Sequence, residues 1–237
     1  TRYAQTLDFE RQRLSGIVES VLEYARLGRH APAAPTRQRL DAAETDATYA
    51  EAWYQAGFCY GTLGRHTDAL KASKTAAKLR PDWAETYVNI GASSYALQQY
   101  RDAADAYKQA IRLDDSKADT QYALGLTLEK LGRTDEETLA YKRALALNPG
   151  LANAMEKLGL AYMKQKRWND AFTAFDQLKI YKPEAKTYNY IGETLFELGK
   201  AEEASDAFNT AVNYNPGLDK ARYNLGRTYL KLGNTAM

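Results

Sequence analysis

Six glycines recur on a fixed beat: Gly57, Gly91, Gly125, Gly159, Gly192 and Gly226, at intervals of 34, 34, 34, 33 and 34 residues. No other feature narrows the possible folds as much. A period of this size means one small supersecondary unit built many times over and stacked on itself. Each glycine lies near the middle of an amphipathic run, where a helical glycine costs about 1 kcal/mol against Ala. Six at one phase need a packing reason: the missing side chain lets a paired helix approach closely. Other beats accompany it. Ala56, Ile90, Leu124, Leu158, Ile191 and Leu225 precede the glycines, and Tyr60, Ser94, Leu128, Tyr162, Leu195 and Tyr229 stand three residues after them. Twelve residues on come Ala69, Ala103, Glu137, Ala171 and Ala204, expected to face the glycines. Sixteen on come Ser73, Tyr107, Tyr141, Phe175 and Phe208, and Pro81, Pro149, Pro183 and Pro216 close four units, with Asp115 where a fifth proline would stand.

Each unit reads as two short helices with apolar residues at i, i+3, i+4 and i+7. Gly64, Gly132, Gly199 and Gly233 fall where the first helix ends and fit left-handed caps there. Asn148-Pro149-Gly150 and Asn215-Pro216-Gly217 read as turns between units. The residue before each proline is pushed out of the helical region, which stops the second helix. The one 33-residue interval loses its residue just after Pro183, in a turn, where a deletion disturbs least.

These residues together resemble the tetratricopeptide repeat (TPR) family: the period, the aliphatic-Gly pair, the aromatic three on, the small residue at mid-unit and the closing proline. The resemblance implies an all-α, right-handed α-solenoid, an α–α superhelix of helix-turn-helix units. Full units would run 50–83, 84–117, 118–151, 152–184 and 185–218. The segment 219–237 would be the first helix of a sixth. Residues 1–49 are less regular. The apolar stripe Leu14, Ile17, Val18, Val21, Leu22 and Ala25 predicts a helix over 5–27 ended by Gly28. Leu27-Gly28-Arg29-His30 returns as Leu63-Gly64-Arg65-His66. A degenerate unit is therefore expected, with a loop at Pro32–Pro35, a short helix near 36–45 and a capping role. The last helix expects a covering helix, so the chain is expected to continue or to be covered by a partner.

Lys plus Arg is 32 and Asp plus Glu is 30 in 237 residues, a net charge of +2, and the halves 1–118 and 119–237 carry the same balance. No bulk basic field points to nucleic acid or a membrane surface. Nor does any window approach the roughly 20 apolar residues of a membrane span. One cysteine, Cys59, excludes an intrachain disulfide and a Cys-rich zinc site. The chain opens on Thr1 without an apolar signal core, which suggests a processed or excised piece and leaves the compartment open. His30 and His66 fall in turns with no metal or triad pattern, and Cys59 reads as a buried small residue. The acidic pairs Asp114-Asp115, Glu136-Glu137 and Glu202-Glu203 sit at helix ends, where solvent or the helix dipole favours them. No catalytic constellation, metal set or cofactor motif emerges, and no enzyme activity is expected.

In the family the first helices line the concave surface, at phases −6, −3, −2, +1, +4 and +5 from each glycine. The resemblance thus nominates Tyr54, Phe58, Asn89, Tyr95, Tyr122, Lys157, Lys164, Asn189, Tyr190, Phe196, Tyr223, Asn224 and Arg227 as residues that bind a peptide or protein segment. The same phases carry Glu51, Glu85, Asp119 and Glu129 against Lys130 in units one to three. From unit four on, Lys157, Lys164, Lys186, Lys220, Arg227 and Lys231 oppose Glu156, Glu193 and Glu197. A groove graded from acidic to basic follows. The Lys/Asn/Asn/Lys/Arg clamp of chaperone-tail binders is not supplied by any three consecutive units, and Asn89 and Asn224 are too sparse for an asparagine ladder. The expected function is a protein–protein interaction scaffold. Two alternatives stay open: a self-assembly module pairing through residues 14–25 or the last helix, and a non-catalytic segment of a larger enzyme.

Overall fold

The computed structural model describes the backbone of residues 38–233, and side chains from residue 50. Among the described residues it is all α: eleven helices and no strand. The first, α1, runs Gln38–Thr62, and α2 covers His66–Leu79. Then α3 (Ala84–Ala96) pairs with α4 (Tyr100–Leu113), and α5 (Ala118–Lys130) follows. Next come α6 (Thr134–Leu147), α7 (Ala152–Lys164) and α8 (Trp168–Tyr181). The series ends with α9 (Ala185–Glu197), α10 (Ala201–Tyr214) and α11 (Asp219–Lys231). This is the helical-hairpin architecture of an α-solenoid. The helices fall into two compact units, divided after Leu131. In the first, α1 to α5 pack each on the next, and α1 also touches α3, as α3 touches α5. In the second, α6 to α11 pack in the same succession, and α9 touches α11.

The hairpin turns repeat one design. Gly64, Gly132, Gly199 and Gly233 sit at φ between +70° and +80°, the left-handed caps that the sequence predicts. Gln98 and Lys166 hold the same place at φ 61° and 57° without being glycine. After four of the first helices a backbone N–H reaches back five residues: Arg65 to Tyr60, Gln99 to Ser94, Arg167 to Tyr162 and Lys200 to Leu195, at 2.8–2.9 Å. That bond closes a Schellman motif and satisfies an orphan carbonyl. The turns between hairpins close on side chains. Asn148 accepts from the Gly150 N–H and Asn215 from the Gly217 N–H, at 3.1 and 2.9 Å. Asp114, before the missing proline, accepts from the Ser116 N–H at 3.0 Å. Between α8 and α9 only residues 182–184 intervene, so the deletion lies in the turn.

Three expectations change. The short helix near 36–45 is not a separate element, since Gln38–Thr62 is continuous. Nothing between Pro35 and Gly57 is a proline or glycine, so nothing stops the helix. The nearest neighbour of Gly91, Gly159 and Gly192 is the ring sixteen residues on, not the small residue twelve on. A Cβ on Gly91 would stand 2.7 Å from Tyr107, on Gly159 2.5 Å from Phe175, and on Gly192 2.6 Å from Phe208. Glu137 is not solvated: it is 1 % exposed, because the mid-unit position faces inward whatever occupies it. Its carboxylate lies 3.6 Å from Lys164 Nζ. The predicted helix over 5–27, its stripe at 14–25, His30 and the Pro32–Pro35 loop lie outside the described residues.

Candidate functional site

Thirteen-residue first helices alternate with fourteen-residue second helices from α3 on. One face of each first helix therefore returns at the same phase. In the first unit Tyr54 is half-buried and its ring meets Trp83 at 4.4 Å. Burial, and then the carboxylates of Glu85 and Glu51, push its hydroxyl pKa up. Tyr95 meets Tyr100 edge-on at 5.4 Å, and Tyr122 is half-buried. Phe58 is half exposed. It shares a cavity of about 250 Å³ with Gly61, Thr62, His66 and Asn89. The Asn89 Nδ2 is buried there without a hydrogen-bond partner among the described residues. Cys59 is partly buried and burial raises its thiol pKa, as suits an inert packing residue.

In the second unit Tyr190 is half-buried and stacks on Phe175 at 4.8 Å, with Lys186 Nζ 5.6 Å from its ring. Burial raises its hydroxyl pKa. Asn189 and Asn224 are buried and bonded to one another at 3.3 Å. Both give an Nδ2 hydrogen to Glu193 Oε1, at 2.6 and 3.1 Å, and Lys220 Nζ reaches the same oxygen at 2.8 Å. These amides hold a carboxylate in place. Lys157 is half-buried. Much of the expected positive charge is met internally: Lys164 by Glu137 at 3.6 Å and Lys186 by Glu156 at 2.6 Å. Arg227 instead lies over Phe196, 4.7 Å from its centroid, and 6.0 Å from that of Tyr223.

Phe196, Tyr223, Asn224 and Arg227 line a cavity of about 420 Å³. Eight of its ten lining residues stand at the nominated phases, and Trp168 and Phe208 complete it from second helices. Met163, Glu193, Glu197 and Lys220 were visible at those phases but not nominated. Trp168 carried no periodic signal. Among the described residues no group of His, Cys, Asp or Glu is arranged to hold a metal. Nor is any described helix long and apolar enough to cross a membrane.

Models of the TPR repeat match residues 93–132 and 192–233. Models described as the tetratricopeptide repeat match 50–82, 118–151 and 139–186. The chain belongs to the tetratricopeptide repeat family. TPR proteins are typically non-catalytic scaffolds. Solved structures carry the same fold. One, titled YrrB, a TPR protein with an unusual peptide-binding site, superposes with a TM-score of 0.68 at 21% identity, over 73% of this chain and 90% of that one. A crystal structure of MamA superposes with a TM-score of 0.64 at 28% identity, over 70% and 97%. PilF of Pseudomonas aeruginosa gives 0.62 at 16%, over 81% and 87%. A comparison with curated protein sequences gives no match.

Proposed function

We propose that this TPR chain is a non-enzymatic protein-interaction scaffold that holds an extended or helical partner segment against the face of its first helices. Family membership supports the general role. One observation supports the finer reading: in each unit a cavity is lined mainly by residues at the first-helix phases, beside an exposed ring, Phe58 or Tyr223. Exposed aromatics anchor binding because they bury large areas with little rotamer entropy to lose. Asn89 would serve a peptide carbonyl, since its Nδ2 is buried and lacks an acceptor among the described residues. Selection of a displayed random-peptide library on the protein tests this. Selected peptides should lose affinity for Phe58→Asp or Tyr223→Asp and keep it for Lys74→Ala on α2. Peptides indifferent to both face variants would refute the reading.

A second reading, self-association through α11, is favoured by Gly226. No atom of the described residues lies within 4 Å of a Cβ built there, and Leu230 on the same helix is 73 % exposed. A mass that rises with concentration for the native chain and not for Leu230→Lys would support it; a constant mass would remove it.

A further inference from the structure

The cavity of the second unit has a floor and a rim of different character. Met163, Trp168 and Phe208 supply apolar surface, and Phe196 and Tyr223 stand beside it. Its volume of about 420 Å³ lies in the roughly 300–1,000 Å³ range of sites that enclose a small ligand or a large side chain.

The rim charges are not equivalent. Glu193 already receives Lys220 and two buried amides on one oxygen, so that pair is satisfied within the protein. Arg227 and Lys231 differ. Both lie over the Phe196 ring, at 4.7 and 4.4 Å from its centroid. Among the described residues neither has a carboxylate partner. They are four apart on α11, and like charges at that spacing destabilise a helix by about 0.2–0.5 kcal/mol. The ring compensates through cation–π attraction and holds both cations in place. It leaves the guanidinium N–H edge without an acceptor, and that planar fork matches a carboxylate. Glu197 lines the cavity with Arg227 and has no ionic partner among the described residues; together with Lys231, which lies over the lining Phe196 ring, the trio is net positive.

Resting on the first-helix face as the binding surface, we infer that this cavity selects a partner segment in which a large apolar side chain is flanked by carboxylate side chains. The apolar group enters between Phe208, Met163 and Tyr223. The carboxylate bridges Arg227 and Lys231, which relieves their mutual repulsion. Apolar burial then gives affinity, and the acid gives register and salt sensitivity.

Fluorescence anisotropy on the full chain tests this with a labelled, C-terminally amidated peptide, Gly-Ser-Leu-Phe-Asp-Glu-Ser-Gly. The amide removes any contribution of a free C-terminus. Replacing Asp-Glu by Asn-Gln, or Leu-Phe by Ala-Ala, is expected to weaken binding about tenfold each. The double variant Arg227→Gln, Lys231→Gln should erase the preference for the acidic peptide while still binding the neutral one. Both residues lie on the exposed side of α11, so the variant keeps its fold. Tyr223→Ala should weaken all apolar peptides, and Lys74→Ala none. The inference fails if acidic and neutral peptides bind alike, if the double variant keeps the preference, or if the acidic peptide does not bind. Tighter binding of a Leu-Phe-Lys-Lys peptide, lost in Tyr223→Ala, would overturn the acidic occupant and leave the binding face standing. Failure of the face itself shows instead in the library selection.

Discussion

Phe208 occupies the space that a side chain on Gly192 would need: a Cβ built on Gly192 stands 2.6 Å from the ring. Phe208 is 1 % exposed, its ring packed within the protein. Gly192→Ala is therefore expected to destabilise, since overpacking costs about 1–3 kcal/mol and the gain in helix propensity is only about 1 kcal/mol. Gly159→Ala, 2.5 Å from Phe175, should behave alike. Gly226→Ala meets nothing within 4 Å among the described residues and should stabilise by the propensity gain alone, about 0.5–1 kcal/mol. Urea unfolding of the three variants checks this. Equal effects at Gly192 and Gly226 would remove the ring as the reason for the beat.

Gln98 and Lys166 stand at φ 61° and 57°, where four other repeats place glycine. A left-handed non-glycine residue costs roughly 1–2 kcal/mol, and glycine gives back about 0.4–1 kcal/mol through the freer unfolded chain. Gln98→Gly and Lys166→Gly should each stabilise by a few tenths up to about 1 kcal/mol. Gly199→Ala, at φ 80°, should destabilise by a similar amount. Thermal melts decide, and a fall in Tm for both glycine variants would contradict the strain.

Much of the fold is periodic and was therefore legible. The glycines, the turns at Asn148 and Asn215 and the deletion after Pro183 all follow from spacing. What escaped depends on contacts distant in sequence or on geometry that no residue type announces. Glu137 looks like an ordinary first-turn acid until the inward position and Lys164, 27 residues later, are seen together. Gln98 adopts the left-handed cap because the turn demands it. For the candidate site, phase alone points to Tyr223, Phe196 and Arg227. It does not show that Asn189, Asn224 and Lys220 converge on Glu193 Oε1, while Arg227 and Lys231 have no carboxylate partner among the described residues.

Tyr107 is buried beneath Gly91, and burial first, then Tyr95, pushes its hydroxyl from an ordinary value of 10 to about 12. The folded state holds the proton more tightly than the unfolded chain. Stability from this group is thus complete below pH 10 and is lost as pH rises through about 12. Two pH units correspond to about 3 kcal/mol. The native chain should lose most of that, about 2 kcal/mol, relative to Tyr107→Phe between pH 9 and 12. Denaturant midpoints across that range measure the difference, and parallel curves would place the hydroxyl in water.

Two donors to the same oxygen of Glu193 should differ in worth. Asn224 is buried, and its Nδ2 serves both Glu193 at 3.1 Å and Asn189 at 3.3 Å. Asn224→Leu keeps the branching at Cγ and removes the donor, leaving Asn189 Oδ1 short of a hydrogen bond inside the protein. An unsatisfied buried polar group costs about 1–3 kcal/mol. Lys220 reaches Glu193 with a side chain 61% exposed, and such a pair contributes about 0–1 kcal/mol. Asn224→Leu should therefore lower stability more than Lys220→Gln, and only the Lys220 variant should recover at high salt when the parent pair is screened equally. Asn224 and Tyr223 are adjacent on α11, so loosening the amide network should also weaken peptides anchored at Tyr223. If Lys220→Gln proves the costlier change, the ion pair and not the buried amides fixes the Glu193 carboxylate.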